Sequence, residues 1–228
     1  MNTKKTLVYD FPMRLFHWSF SILFLASYGI ADLVDEQSAT FSYHMIIGFV
    51  LSFILILRII WLFIGSRWAR LSSFELRPRL LLNYLKSAFY SKTNRYPGHN
   101  PATSWLAIIM FGIVFLLAIT GYLMVSTNLG GLLEDFHEVL STAFIWLIVF
   151  HILGILFHTY QHKTNIAMSM IKGKKYGVKT IDEISSAHYV AGIIYIILVA
   201  LFVGYLLFNY DSDTQVLKIL NSHLYLSN

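Results

Sequence analysis

Nine histidines and no cysteine define the ligand chemistry open to this chain of 228 residues. Imidazole nitrogens bind transition metals and carry protons, whereas the absence of thiolate excludes disulfides, iron–sulfur clusters and sulfur ligation. Four histidines, His17, His44, His137 and His151, fall in or at the mouths of long apolar runs. Imidazole is costly to desolvate there, which makes each a functional candidate, although a lone one also serves as an interhelical hydrogen bonder. His137 and His151 lie fourteen residues apart. On one helix that spacing returns the second ring to within roughly 40° of the first, about 21 Å further along the axis. One helix therefore serves two sites at two depths, and a single ion does not reach both.

The elements that must position these rings are membrane helices. The chain is 57% hydrophobic and 13% charged, where a soluble domain carries about 25% charged residues. Five runs are long enough for the roughly 20 residues that cross a hydrocarbon core. They lie near Met13–Asp32, His44–Ile64, Ser104–Met124, His137–His158 and His188–Phe208. Basic residues crowd the N-terminus (Lys4, Lys5, Arg14) and two connections, from Arg67 to Arg95 (with Lys86 and Lys92) and from Lys163 to Lys179. Asp35, Glu36, Glu134, Asp135, Asp211 and Asp213 mark the other side, where Lys218 is the only basic residue. The positive-inside rule then puts the N-terminus in the cytoplasm and the C-terminus on the far side of the membrane. The net charge of +5 and pI near 9.3 report this orientation and not nucleic-acid binding. Residues Pro78–Tyr90 read as an amphipathic surface helix and Pro97, Gly98 and Pro101 as a turn. Nothing like a small-residue cleavage site follows the first apolar run, so no secretory signal is expected.

Alternating helix direction sorts the four histidines by depth: His17 with His151 toward the cytoplasm, His44 with His137 toward the far side. Each pair offers two axial nitrogens to a haem iron, the six-coordinate arrangement suited to electron transfer. Gly48 and Gly154, one turn beyond His44 and His151, leave room for a flat macrocycle or, equally, let helices pack closely. Arg58 shares a helical face with His44, fourteen residues away. It reads either as a haem-propionate partner or as a cation snorkelling to the headgroups.

The other histidines are weaker candidates. His158 and His162 suit a quinone or propionate site or a hydrated interface, His188 rivals His17 as the cytoplasmic-side ligand, and His99 and His223 read as loop residues. No Gly-rich phosphate loop, carboxylate pair or Ser/His/Asp set stands out, so no catalytic residue is named. No lysine lies inside the spans for a Schiff base, and no acidic chain for a proton pump.

Several motifs, in order, resemble the bacterial cytochrome b-561 and nickel–iron hydrogenase b-type cytochrome family. They are the run from Tyr9 to Trp18 (Tyr-Asp-Phe-Pro-Met-Arg-Leu-Phe-His-Trp), His44 to Phe49, Arg58 to Trp61, Arg67 to Phe74, Gly98-His99-Asn100-Pro101, His137-Glu138 with His151, and Asn165 to Gly173. The resemblance covers roughly Leu7 to Lys175. It implies an all-α, four-helix haem-binding transmembrane bundle over residues 7–175, with His17, His44, His137 and His151 as axial ligands of two haem b groups. Residues 176–228 would then add a fifth transmembrane helix and a periplasmic tail that the bundle does not require.

The expected function is electron carriage in a bacterial inner membrane, between the quinone pool and a periplasmic c-type cytochrome or oxidoreductase subunit such as a hydrogenase. One rival is a free-standing quinone oxidoreductase acting on a small reactant such as superoxide. Another is a haem-free transporter of metal or protons.

Overall fold

The computed structural model describes residues 5–90, 93–127, 130–219 and 222–226. Lys4 and Lys92, counted among the basic flanks, lie outside the described residues. Hydrocarbon offers no hydrogen bonds to a bare backbone, so apolar runs of this length must satisfy themselves as helices. In chain order the helices are α1 (Phe11–Leu33), α2 (Ser42–Ile64), α3 (Pro78–Tyr90), α4 (Pro101–Ser126), α5 (Gly130–His162), α6 (Ser169–Lys172) and α7 (Tyr189–Phe208). Among the described residues, α2, α4, α5 and α7 are long and apolar enough to cross a membrane. The last of these is the expected extra helix. α1 has the 23 residues of α2, but Arg14, His17 and Asp32 dilute its apolar character and it falls outside that set.

Local chemistry sets the helix ends. Asp10 caps α1 by accepting from the Met13 amide at 2.8 Å, the usual role of a short carboxylate at this position. Asn100 caps α4 in the same way through the Thr103 amide at 2.8 Å, and Pro101 then stands at the first helical position, where a missing N–H costs nothing. The turn expected at Pro97–Pro101 is thus the entry to α4. α3 has the bounds expected of the amphipathic helix. α5 is longer than the expected His137–His158: its 33 residues extend about 50 Å, well beyond a hydrocarbon core of about 30 Å.

The chain divides into two compact units, and all five long helices contribute to both. The first comprises residues 1–17, 58–111 and 145–192. Val8, Tyr9, Met13, Ala69 and Val178 form its core, with Trp61, Trp68 and Met170 packed against it. Strands β1 (Lys5–Leu7) and β2 (Lys174–Tyr176) pair antiparallel, Lys5 opposite Tyr176. The Val8 and Tyr9 amides both donate to the Gly173 carbonyl. Gly173 has φ +75°, and a Cβ there would lie 2.7 Å from the Tyr9 carbonyl oxygen, so both conformation and space require glycine. The approach to α7 is held in this unit by the Phe11 amide, which donates to the Ala187 carbonyl, and α7 itself by Gly192, whose bare Cα admits the Phe11 ring.

The second unit comprises residues 18–57, 112–144 and 193–228. Phe20 stacks on Phe24, which packs 4.6 Å from Phe144. Here α7 is tied by a Ser19–Tyr195 hydroxyl pair at 2.6 Å and by Phe202 stacked on Phe53 at 4.4 Å. The expected tail is structured. β3 (Tyr210–Asp211), β4 (Val216–Ile219) and β5 (Ser222–Tyr225) form an antiparallel sheet that buries Leu217, Leu224 and Leu226. The helical expectation therefore needs two small sheets added. His223, expected in a loop, lies on β5 opposite Lys218; its side chain lies outside the described residues.

Candidate functional site

Each compact unit brings together one of the two expected histidine pairs. In the first, the rings of His17 on α1 and His151 on α5 lie 6.4 Å apart, centre to centre, at 62°. In the second, the rings of His44 on α2 and His137 on α5 lie 6.3 Å apart at 77°. An imidazole nitrogen sits about 2.0–2.1 Å from a bound metal and about 1.1 Å from its own ring centre, so two rings flanking one ion are separated by about 6.3 Å. Both pairs have the spacing at which two imidazoles could hold one metal between them.

In the second unit the tautomers follow from the hydrogen bonds. His44 Nδ1 lies 2.9 Å from the Ser27 carbonyl oxygen, which can only accept, so Nδ1 carries the proton and Nε2 keeps its lone pair. The Ser27 hydroxyl is also 3.0 Å from that nitrogen. His137 Nδ1 lies 2.8 Å from Thr120 Oγ1. The Thr120 hydroxyl donates back to the Leu116 carbonyl at 2.9 Å, so its oxygen accepts from His137 and again leaves Nε2 free. Such partners behind a ligating imidazole hold the ring and raise its basicity.

The space between fits a large flat group. A cavity of about 1370 Å³ lies in this unit, with His44, His137 and Gly48 in its wall, above the ~300–1,000 Å³ usual for small-ligand sites. A Cβ built on Gly48 meets nothing within 4 Å, and the same holds for Gly154 in the first unit. A glycine kept for helix packing has a neighbour in that volume; Gly48 instead faces the cavity, whereas Gly154 is exposed. A Cβ on Gly121 would lie 3.5 Å from the His137 ring, so Gly121 also bounds the site. Among the described residues no three His, Asp or Glu converge. Two imidazoles are half a shell for a bare transition-metal ion but the full protein contribution to a metal already held by four macrocycle nitrogens.

Arg58 belongs to the first unit with His17 and His151. It is 3% exposed and donates from both terminal nitrogens to the Ala69 carbonyl at 3.2 and 3.3 Å. Its guanidinium lies 5.6 and 5.7 Å from the Phe16 and Phe111 ring centres. The cation thus ends inside the protein and does not snorkel to its surface. His188 stands just before α7 with φ 54°, and its ring meets Trp61 edge-on at 5.6 Å; the ring beside His17 is that of His151. His158 and His162 lie 4.3 Å apart, and His162 Nε2 is 2.9 Å from the Thr93 hydroxyl.

His99 is more than the loop residue it resembles. Its ring packs 4.5 Å from Phe74 and 6.5 Å from Tyr9, and its buried Nδ1 lacks a hydrogen-bond partner. Burial first, then the charges of Lys175, Arg58 and His151, push its pKa down to about 3. The signal for it in the sequence is the Gly98-His99-Asn100-Pro101 motif. Ser27 and Thr120 went unremarked too. Their signal is a hydroxyl in an apolar run seventeen residues before a histidine, the same offset in both cases.

No solved structure matches the chain. A family model for prokaryotic cytochrome b561 matches residues 8–173. A relative from Rhizobium leguminosarum bv. viciae, described as "Probable Ni/Fe-hydrogenase B-type cytochrome subunit", is 30% identical over 177 residues, covering 68% of this chain and 72% of its own. Four apolar helices and two opposed imidazole pairs lie within or beside the matched stretch. The chain belongs to the prokaryotic cytochrome b561 family and is a membrane b-type cytochrome of electron transfer.

Proposed function

We propose that the chain holds two b haems, one between His17 and His151 and one between His44 and His137, and carries electrons between the quinone pool and a periplasmic redox partner. The observation that carries this reading is the matched ring separation of 6.4 and 6.3 Å in the two pairs. Bound haem supplies a reversible one-electron couple, and six-coordination by two imidazoles suits it to electron passage. The residues do the rest. Ser27 and Thr120 fix the Nδ1 proton of the second pair, Gly48 leaves room for the macrocycle edge, and buried Arg58 pairs with a propionate of the cytoplasmic-side haem.

Residues 7–175 form the haem domain, and 176–228 add the further helix and the periplasmic sheet. In this reading α1 spans the membrane with the other four helices despite its polar residues, because Arg14 lies at its entry and His17 faces haem. The N-terminus is then cytoplasmic, in a bacterial inner membrane, and the C-terminus periplasmic. The relative's description as a hydrogenase subunit supports an oxidoreductase subunit as the partner; a c-type cytochrome is the alternative of the same class.

The test is to mix oxidised, haem-loaded protein with a soluble quinol and follow the reduced haem absorbance by stopped flow, then add oxidised c-type cytochrome. Rapid reduction followed by re-oxidation is expected. Haem that dithionite reduces but quinol does not would remove the quinone arm.

A further inference from the structure

The first unit holds a second cavity, of about 430 Å³, whose wall includes neither His17 nor His151. Lys5, Arg95, Lys172, Lys174, Lys175 and His158 contribute to that wall, and no Asp or Glu does. The ion pairs among the described residues are Arg67–Asp182 and Arg77–Glu75, so none of the five cations meets a carboxylate there. Lys175 is 8% exposed and donates to the Tyr96, Pro97 and Gly98 carbonyls at 3.4, 2.9 and 2.8 Å. Its charge is fixed in the wall and cannot swing out to water. Arg95 is held by the His162 carbonyl at 3.2 Å, and Lys5 lies over the Tyr176 ring at 4.9 Å. Lys172 and Lys174 are exposed at the rim.

Basic residues at a helix end ordinarily need no role beyond orientation. Orientation, however, asks only for positive charge on one side. It does not ask for a concave wall free of acid. Thr164, Asn165 and Ser169 add polar atoms to the wall, and Ile166, Met168 and Val178 an apolar strip. Concentrated positive charge, nearby donors and an apolar strip are what a phosphate group on an amphiphile requires, and basic pockets beside membrane helices take anionic headgroups.

We propose that this cavity is a binding site for a phosphate-bearing anion, with Lys172 and Lys174 gathering it at the rim and the fixed charges of Lys175 and Arg95 holding it from the wall. The site is separate from the haem reading and stands without it. Two sources share the chemistry: the headgroup of an anionic phospholipid and free phosphate.

The experiment uses delipidated, haem-loaded protein in mixed micelles with phosphatidylglycerol or phosphatidylcholine, read by native mass spectrometry and by melting temperature. We expect one phosphatidylglycerol per chain to be retained, with a raised melting temperature, against no retention of phosphatidylcholine. The double variant Lys172→Gln, Lys174→Gln should weaken retention by about tenfold or more while its haem spectrum stays unchanged. Inorganic phosphate at millimolar concentration that displaces the lipid and reproduces its stabilisation would assign the site to free phosphate; no effect of phosphate would assign it to lipid. Equal retention of the two lipids with no effect of phosphate, or full retention by the double variant, would overturn the proposal.

Discussion

A histidine is useful to haem only if the right nitrogen keeps its lone pair, and in the second unit a carbonyl and a hydroxyl settle which one does. Ser27 offers His44 an oxygen that can only accept, and Thr120 has already spent its own proton on Leu116. Replacing Thr120 with Val keeps the shape and removes the acceptor. The expected result is haem affinity at that pair weakened by about 10–100-fold, measured by transfer of haem to a scavenging apoprotein, with the other haem retained. The four histidines could be read from the sequence because apolar surroundings make imidazole expensive and therefore conspicuous. The hydroxyls could not, because a Ser or Thr in a helix ordinarily bonds its own preceding turn, which Thr120 also does. His99 was hidden for another reason. The side chains that bury it, Tyr9 and Phe74, lie far away in sequence.

At the scale of the element, each long helix is a rod that sets the spacing and facing of what it carries. α5 delivers one ring to each site because fourteen residues nearly close four turns. α2 carries Gly48 one turn from His44, against an open cavity. Gly48→Ala should be tolerated, since a methyl there meets nothing and alanine favours the helix. Gly48→Phe should fill the cavity and lower haem content from two per chain toward one, read by pyridine haemochrome, with helicity by circular dichroism unchanged. The amphipathic α3 and the apolar α7 were legible because their periodicity and length are local properties. The β1–β2 pair was not, because it joins Lys5 to Tyr176, residues far apart in the sequence. The C-terminal sheet was missed because its strands are at most four residues long, too short for alternation to register.

At the scale of the whole molecule, the question is how many times the chain crosses the bilayer. Charge placement argues for five crossings, including α1, whose polar residues leave it less apolar than the other four long helices. The chain lacks cysteine, so single cysteines placed at exposed Lys179 or Asp213 can be probed without background. A membrane-impermeant maleimide should label Asp213→Cys in intact spheroplasts and label Lys179→Cys only after lysis. Labelling of both from outside would mean that α7 does not cross. The four apolar helices α2, α4, α5 and α7 were legible because a bilayer permits so few solutions to an apolar chain. The division into two compact units was not, since it cuts across the helices and not between them.

The central claim is that two imidazole pairs hold two haems. Its most direct test is a dithionite-reduced minus oxidised spectrum of the purified protein with a pyridine haemochrome assay for haem per chain, repeated on His44→Ala and His137→Ala. The account predicts two b haems in the parent chain and a fall toward one in either variant. Folded parent protein without haem, or variants that keep both haems, would contradict it.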